Sequence, residues 1–241
     1  MKKFSLVLLT ILCIETHAAS GDGAWPGQSF SQAKIMLKNL YKGSPTTFYC
    51  GCNIEWQSNK KLKPNTSNCG YKPRNELTKK GKVNKRAQRI EWEHVVPAWE
   101  FGHQLQCWQD GGRKACKKNP KFKAMEGDLH NLVPAIGEVN GDRSNYKFSM
   151  IEGEQRVYGQ CDAEVNFKAK VFEPAPEIRG DIARTYFYFE KQYGLKISKQ
   201  QKKLFIAWDK QDPVTQTECV THERKAKNQG WDNPFVAANC S

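Results

Sequence analysis

Glu93 and His94 stand side by side in the run I-E-W-E-H-V-V-P at residues 90–97, and together they carry the means of a metal-assisted hydrolysis. A carboxylate can hold a hard cation through oxygen, and an imidazole with an ordinary pKa of about 6.5 can take a proton from water near neutral pH. Neighbours on an extended strand point to opposite faces, so the pair addresses one site only where the strand ends. Pro97, which has no N–H for a ladder, supplies that end. Two residues carry little information by themselves, and a buried Glu–His hydrogen bond is the rival reading.

Cleaving a phosphodiester asks for a base for water, a cation on the phosphate and leaving oxygen, and a second positive group on the developing charge. His94 is the candidate base. Glu93 and the amide oxygen of Asn140 are candidate ligands for one Mg²⁺, with Mn²⁺ or Ca²⁺ as possible substitutes. With two protein ligands the ion completes its octahedron with waters and substrate oxygens. Arg113 can clamp a phosphate through two parallel N–H groups. Asp128, Glu126 and Asp142 are alternative carboxylates nearby in the chain. His130 either fixes a strand by hydrogen bonding or ligates metal, while Arg143 and Asn145 either touch phosphate or cap a helix.

These groups need elements to hold them. A strand over residues 89–95 carries the pair, and Gly102, Gly111-Gly112 and Pro120 mark residues 97–121 as a long loop, which Cys107 and Cys116 could tether around Arg113. Residues 129–133 read as a second strand closed by Pro134, and residues 137–145 as a polar turn or short helix bearing Asn140. Upstream, Phe30, Ala33, Met36, Leu37, Leu40 and Tyr41 recur at helical spacing until Gly43-Ser44-Pro45. Residues 46–71 read as a short strand and a disulfide-tied loop without chemistry, and residues 157–172 as further strands. The last third is helical, with Ile178, Ile182, Ala183, Tyr186, Phe187 and Tyr193 forming a core stripe ended by Gly194. A capping-box start at Ser198 precedes Leu204, Phe205 and Trp208, and a further helix ends at Gly230 before the turn at 231–234.

Composition sets the setting. Residues 1–18 combine Lys2 and Lys3, an apolar run over 5–14 and Thr16-His17-Ala18, the pattern of a secretory signal cut after Ala18. That run is too short to cross a membrane, and no later stretch approaches the length. The mature chain, 19–241, reads as one exported domain. Of nine cysteines Cys13 lies in the leader; the other eight imply disulfides whose pairing the sequence does not choose. The formal charge of +13 calls for a polyanionic partner, and two runs, 79–89 and 113–123, each hold six basic residues beside the suspected site.

The strings E-W-E-H-V-V-P at 91–97, G-G-R-K-A-C at 111–116 and G-D-L-H-N-L-V-P-A-I-G-E-V-N-G-D-R-S-N at 127–145 closely resemble the endonuclease I family of bacterial periplasmic or secreted nucleases. The likeness covers essentially the mature chain. It implies a mixed α/β (α+β) single domain, stapled by four disulfides and carrying a ββα-metal, or His-Me finger, site. It also implies cleavage of double- and single-stranded DNA, and of RNA, with little sequence preference, by a monomer that binds no membrane. By the same resemblance His94 matches the general base, Glu93 and Asn140 the Mg²⁺ ligands, Arg113 the phosphate-stabilising arginine, and Glu126 a carboxylate that steadies a metal-bound water. Two other functions stay in view: a metal-independent ribonuclease using His94 and His130 as base and acid, and a cationic nucleic-acid-binding protein without catalysis.

Overall fold

Ser29 starts the first helix by accepting from the Gln32 backbone N–H while the Gln32 side chain accepts from the Ser29 backbone N–H, the reciprocal cap that an S-x-x-Q sequence makes. In the computed structural model, which describes residues 27–43, 45–57, 61–153 and 155–240, this helix α1 runs Phe30–Leu40. The leader read at residues 1–18 lies outside the described residues. Ala33 and Leu37 pack with Leu129 and Leu132, which sets α1 against the segment bearing the second strand.

After α1 the chain makes an antiparallel pair, β1 (Ile54–Trp56) and β2 (Leu62–Pro64), where one short strand is expected. Then β3 (Ile90–His94) carries the Glu-His pair on the strand expected at 89–95. The long loop expected at 97–121 is instead helical: α2 (Ala98–His103), α3 (Gln106–Cys116) and α4 (Pro120–Gly127). The turn-forming residues that argue for a loop are used as helix ends. Asn119 caps α4 by accepting from Phe122 N–H, and Pro120 takes the first helical position, where its missing N–H costs nothing. Gly112, at φ 61° and ψ −154°, makes a kink inside α3 that a side chain would strain.

The second strand is shifted. Residues Leu129–Asn131 form a 3-10 turn capped by Asp128, and β4 runs Leu132–Ile136 with Pro134 in its middle, opposite Trp92. Pro134 does not close the strand because, among the described residues, this sheet consists of β3 and β4 alone, so the missing N–H can face away from β3. Its carbonyl is used, accepting from Phe48 N–H at 2.8 Å. Helix α5 (Gly137–Arg143) follows at once and packs on both β3 and β4.

A second sheet, ordered β5-β7-β6, is built from β5 (Lys147–Phe148), β6 (Ala163–Asn166) and β7 (Val171–Pro174), with β5 parallel and β6 antiparallel to β7. The helical last third is as expected: α6 (Arg179–Tyr193) ended by Gly194 at φ 69°, α7 (Lys199–Gln211) capped by Ser198, and α8 (Gln216–Gln229) ended by Gly230 at φ 93°. Asn233 then caps a short α9 (Pro234–Ala237) where a turn is expected. Phe148 and Phe172 of the sheet meet Tyr186 of α6 and Phe205 and Trp208 of α7 in one buried aromatic cluster. The C-terminal aromatics are therefore core residues, as their spacing suggests. The fold is a mixture of helix and sheet, and no helix among the described residues is long and apolar enough to cross a membrane.

All eight cysteines expected in the mature chain are paired: Cys50–Cys161, Cys52–Cys69, Cys107–Cys116 and Cys219–Cys240. The short Cys107–Cys116 bridge, easy from its spacing, clamps α3 across its kink. Cys50–Cys161 spans 111 residues and removes the most freedom from the unfolded chain. Replacing Cys50 and Cys161 together by serine should lower unfolding free energy by about 2–5 kcal/mol. Urea unfolding checks this, and a loss under about 1 kcal/mol would show that the bridge is not a main constraint.

Candidate active site

The strand register decides which way the central pair faces. Glu93 lies opposite Val133 and His94 opposite Leu132 at the end of the β3–β4 ladder, with α5 packed across both strands. Glu93, His94, Arg113 and Asn140 all line one cavity of about 430 Å³, together with Phe30, Trp92, Pro97, Trp99, Arg143, Ser144 and Asn145. Four of the five residues singled out in the sequence therefore converge, although 47 positions separate Glu93 from Asn140 in the numbering.

His94 is buried, and its Nε2 lies 2.8 Å from the Glu126 carbonyl oxygen. A carbonyl only accepts, so Nε2 carries the proton and donates it, and Nδ1 keeps the lone pair. The Phe30 ring, 4.8 Å away between centroids, helps fix the imidazole. Burial, reinforced by the nearby Arg113 and Arg143 charges, holds the His94 pKa down at about 4. The imidazole is neutral at neutral pH.

Glu93 is held from two sides, both on Oε1: Tyr49 Oη donates at 3.2 Å and Arg143 Nη1 at 3.1 Å. Burial pushes its pKa up to about 7, and the Arg143 charge and the Tyr49 hydroxyl pull against that rise. Arg143 is fully buried and also donates to the carbonyls of His94 and Val95, at 3.1 and 2.7 Å, while its guanidinium lies 4.5 Å from the Phe148 ring centre. Its guanidinium neutralises Glu93 and pins the end of β3. Asn131 completes that pinning through paired hydrogen bonds to the backbone of Val96.

Asn140 donates through Nδ2 to Glu91 Oε2 at 3.1 Å, which leaves its Oδ1 as an acceptor. Glu91 in turn pairs with Arg86 and Arg89, so the basic run at 79–89 is tied directly to the side chain that orients Asn140. On the other side of the cavity, Arg113 follows the α3 kink and donates to Glu126 Oε1 through Nε at 2.9 Å and Nη2 at 2.7 Å. Glu126 thus holds Arg113 with its carboxylate and His94 with its carbonyl, and its own side chain is not among those lining the cavity. The remaining carboxylates are occupied elsewhere. Asp142 pairs with Arg74 and accepts from Tyr158, and Asp128 accepts from Tyr188 and Tyr193. His130 bonds the Trp231 carbonyl at 2.8 Å and lines a separate cavity of about 670 Å³.

Tyr49 has no precedent in the sequence reading, which assigns residues 46–71 no chemistry; nothing in that stretch signals a contact 44 residues away. Arg143 and Glu91 have weaker signals: both lie inside the strings that carry the family resemblance, but polarity alone does not distinguish a buried clamp from a solvated face. Ser144, at the unusual φ of 52°, was likewise unmarked although it lines the cavity.

A neutral buried imidazole, a carboxylate, an amide oxygen and an arginine on one cavity are the groups of a hydrolytic centre. Comparison with known proteins gives the class a family. The family model described as Endonuclease I matches residues 30–240. An extracellular deoxyribonuclease of Aeromonas hydrophila is 51% identical over 96% of this chain and 98% of its own. A periplasmic deoxyribonuclease of the same organism is 53% identical over 90% of this chain and 89% of its own. Endonuclease-1 of Buchnera aphidicola subsp. Acyrthosiphon pisum is 47% identical over 88% and 82% respectively. The chain belongs to the endonuclease I family and is a periplasmic or secreted enzyme of the nuclease class.

Proposed function

We propose that this chain is a Mg²⁺-dependent, sequence-nonspecific endonuclease that hydrolyses DNA, and RNA as well, to 5′-phosphate and 3′-hydroxyl ends. It works as a monomer after removal of a leader at residues 1–18. The observation that carries the reading is the His94 tautomer: Nε2–H bound to the Glu126 carbonyl leaves Nδ1 as a neutral base on the cavity shared with Glu93 and Asn140. The deoxyribonuclease relatives support DNA as substrate. We read β3, β4 and α5 as the two strands and helix of a ββα-metal, His-Me finger site.

The residues present fit a hard divalent cation. Both side-chain contacts to Glu93 fall on Oε1, so no side chain competes for Oε2, and the Glu91 contact turns the Asn140 amide so that its Oδ1 can also face a cation. Among the described residues no three His, Cys, Asp or Glu side chains cluster as a metal cage would need. Two oxygen ligands with water and substrate for the rest suit Mg²⁺, with Mn²⁺ or Ca²⁺ as substitutes. When bound, the ion supplies charge stabilisation at the phosphate and the leaving oxygen. The chain's own residues do the rest: His94 Nδ1 takes the proton of the attacking water, and Arg113, already held by Glu126, places positive charge beside the phosphate. Glu126 acts as a positioning residue for both, through its carboxylate to Arg113 and its carbonyl to His94.

The test is incubation of the oxidised mature protein with supercoiled plasmid and with RNA, with Mg²⁺ or with chelator. Both substrates should be degraded with Mg²⁺ and neither with chelator. Chelator-resistant cleavage of RNA alone would favour a His94–His130 acid–base pair, which the placement of the two histidines on separate cavities disfavours. Retardation without product would leave only a cationic binder.

The pH dependence follows from Glu93. It must be ionised to hold a cation, and without metal its pKa stands near 7, so protons compete with Mg²⁺ below that value. The half-saturating Mg²⁺ concentration should rise by up to about tenfold per pH unit below 7. At saturating Mg²⁺ the acid limb should move well below 7, because neutral His94 persists down to about 4. Mg²⁺ titrations of initial rate at pH 5.5, 6.5 and 7.5 check this, and a half-saturating value that stays constant would remove Glu93 as the competed ligand.

A further inference from the structure

The cavity has two unlike walls. Glu93, His94, Asn140 and Arg113 form a polar one, and Phe30, Trp92 and Trp99 an aromatic one. Two of the aromatics have structural work: Phe30 packs on the His94 ring, and Trp92 lies 5.6 Å from Tyr41. Trp99 does not. It is 45% exposed on α2 and its ring contact is with His103, one turn on, at 4.7 Å between centroids and 18° between planes. That stack covers one face of the indole and restrains its rotation, which leaves the opposite face for another ring. Pro97 fixes where α2 begins, so Trp99 sits on a regular element five residues beyond His94.

Aromatic side chains at the rim of a nucleic-acid site bind bases through their faces, in a way that tolerates any sequence. We propose that Trp99 is a binding residue for the strand being cut, stacking on the nucleobase next to the scissile phosphate while the polar wall holds the phosphate itself. The inference rests on the nuclease reading above and adds the part of the substrate that reading leaves unassigned. A base inside a duplex is already stacked on its neighbours and must leave them to reach Trp99, so the contact favours single strands and flexible steps over regular duplex. It also accounts for nonspecificity, because every base offers a face.

The test uses oligonucleotides in which a single phosphodiester is cleavable, flanked by either a normal nucleotide or an abasic analogue, with wild-type, Trp99→Ala and Trp99→Phe proteins and Mg²⁺. Wild type should cut the abasic substrate with a kcat/KM about 10-fold or more below the intact one, the size of one lost base–aromatic stack. Trp99→Ala should cut both at the lower rate, and Trp99→Phe should fall between. In parallel, the ratio of single-strand to duplex cleavage should shrink in Trp99→Ala. Equal rates for wild type and Trp99→Ala on the intact strand would overturn the proposal. So would an undiminished abasic effect in Trp99→Ala, which would place the base elsewhere. Absence of cleavage by the wild type on every substrate would instead overturn the nuclease reading, so the two failures are distinct.

Discussion

His94→Ala should lower turnover on plasmid DNA by roughly 10²- to 10⁴-fold at saturating Mg²⁺, while Mg²⁺ and DNA affinities stay close to wild type. The expectation follows from how the ring is held. Nε2 is committed to the Glu126 carbonyl, and the only nitrogen able to accept a proton is Nδ1. Removing the ring therefore takes away a base without removing an oxygen ligand. Glu93→Gln should fail differently, keeping the shape of the side chain and its contact with Arg143 but losing the charge that binds the cation. Its defect should appear chiefly as weaker Mg²⁺ affinity. Calorimetric Mg²⁺ titration of both variants, beside single-turnover cleavage, separates the roles. If His94→Ala abolished Mg²⁺ binding and Glu93→Gln left it unchanged, the two assignments would be reversed and the proposed mechanism would be wrong.

What the sequence disclosed about this site is uneven, and the unevenness is physical. Glu93, His94, Arg113 and Asn140 were legible because they sit in long ordered strings, and β3 because E-W-E-H alternates up to a proline. The region between the strands was misread since Gly102, Gly111, Gly112 and Pro120 are loop formers by propensity. Here Gly112 makes a kink, Pro120 starts a helix, and Gly102 sits within α2, where a Cβ would meet the Trp108 ring. Pro134 misled for a related reason: a proline ends a strand only if both edges are paired, and strand number is a tertiary fact. Tyr49, and the role of Arg143 though not the residue itself, were out of reach because both side chains reach Glu93 across the fold, and neither periodicity nor local charge records a partner that distant. Glu126 illustrates a further limit. Its backbone carbonyl contributes as much to the site as its carboxylate, and a carbonyl leaves no trace in the residue type.

Arg143 carries the largest expected effect on stability. Arg143→Met should destabilise the protein by about 3–5 kcal/mol, because breaking a buried pair leaves a buried charge uncompensated. The cost should depend on pH in a direction that Glu93 sets. With Arg143 present the Glu93 pKa is already about 7, with burial raising it and Arg143 lowering it, so removing the guanidinium must raise it further. A carboxyl whose folded pKa lies above its unfolded value of about 4.3 favours folding at acid pH and loses that advantage as pH rises through the folded pKa. Arg143→Met should therefore be least damaging near pH 6, where Glu93 takes up a proton, and most damaging near pH 8.5. Adding Glu93→Gln should remove that pH dependence and recover part of the loss. It should not recover all of it, since the carbonyls of His94 and Val95 still lack the donor that Arg143 gave them. Urea unfolding of the wild type, the two single variants and the double variant at both pH values measures these terms as a cycle. An Arg143→Met protein within about 1 kcal/mol of wild type at pH 8.5 would mean that Glu93 finds another counter-charge, and that the clamp described here is not what holds the carboxylate in place.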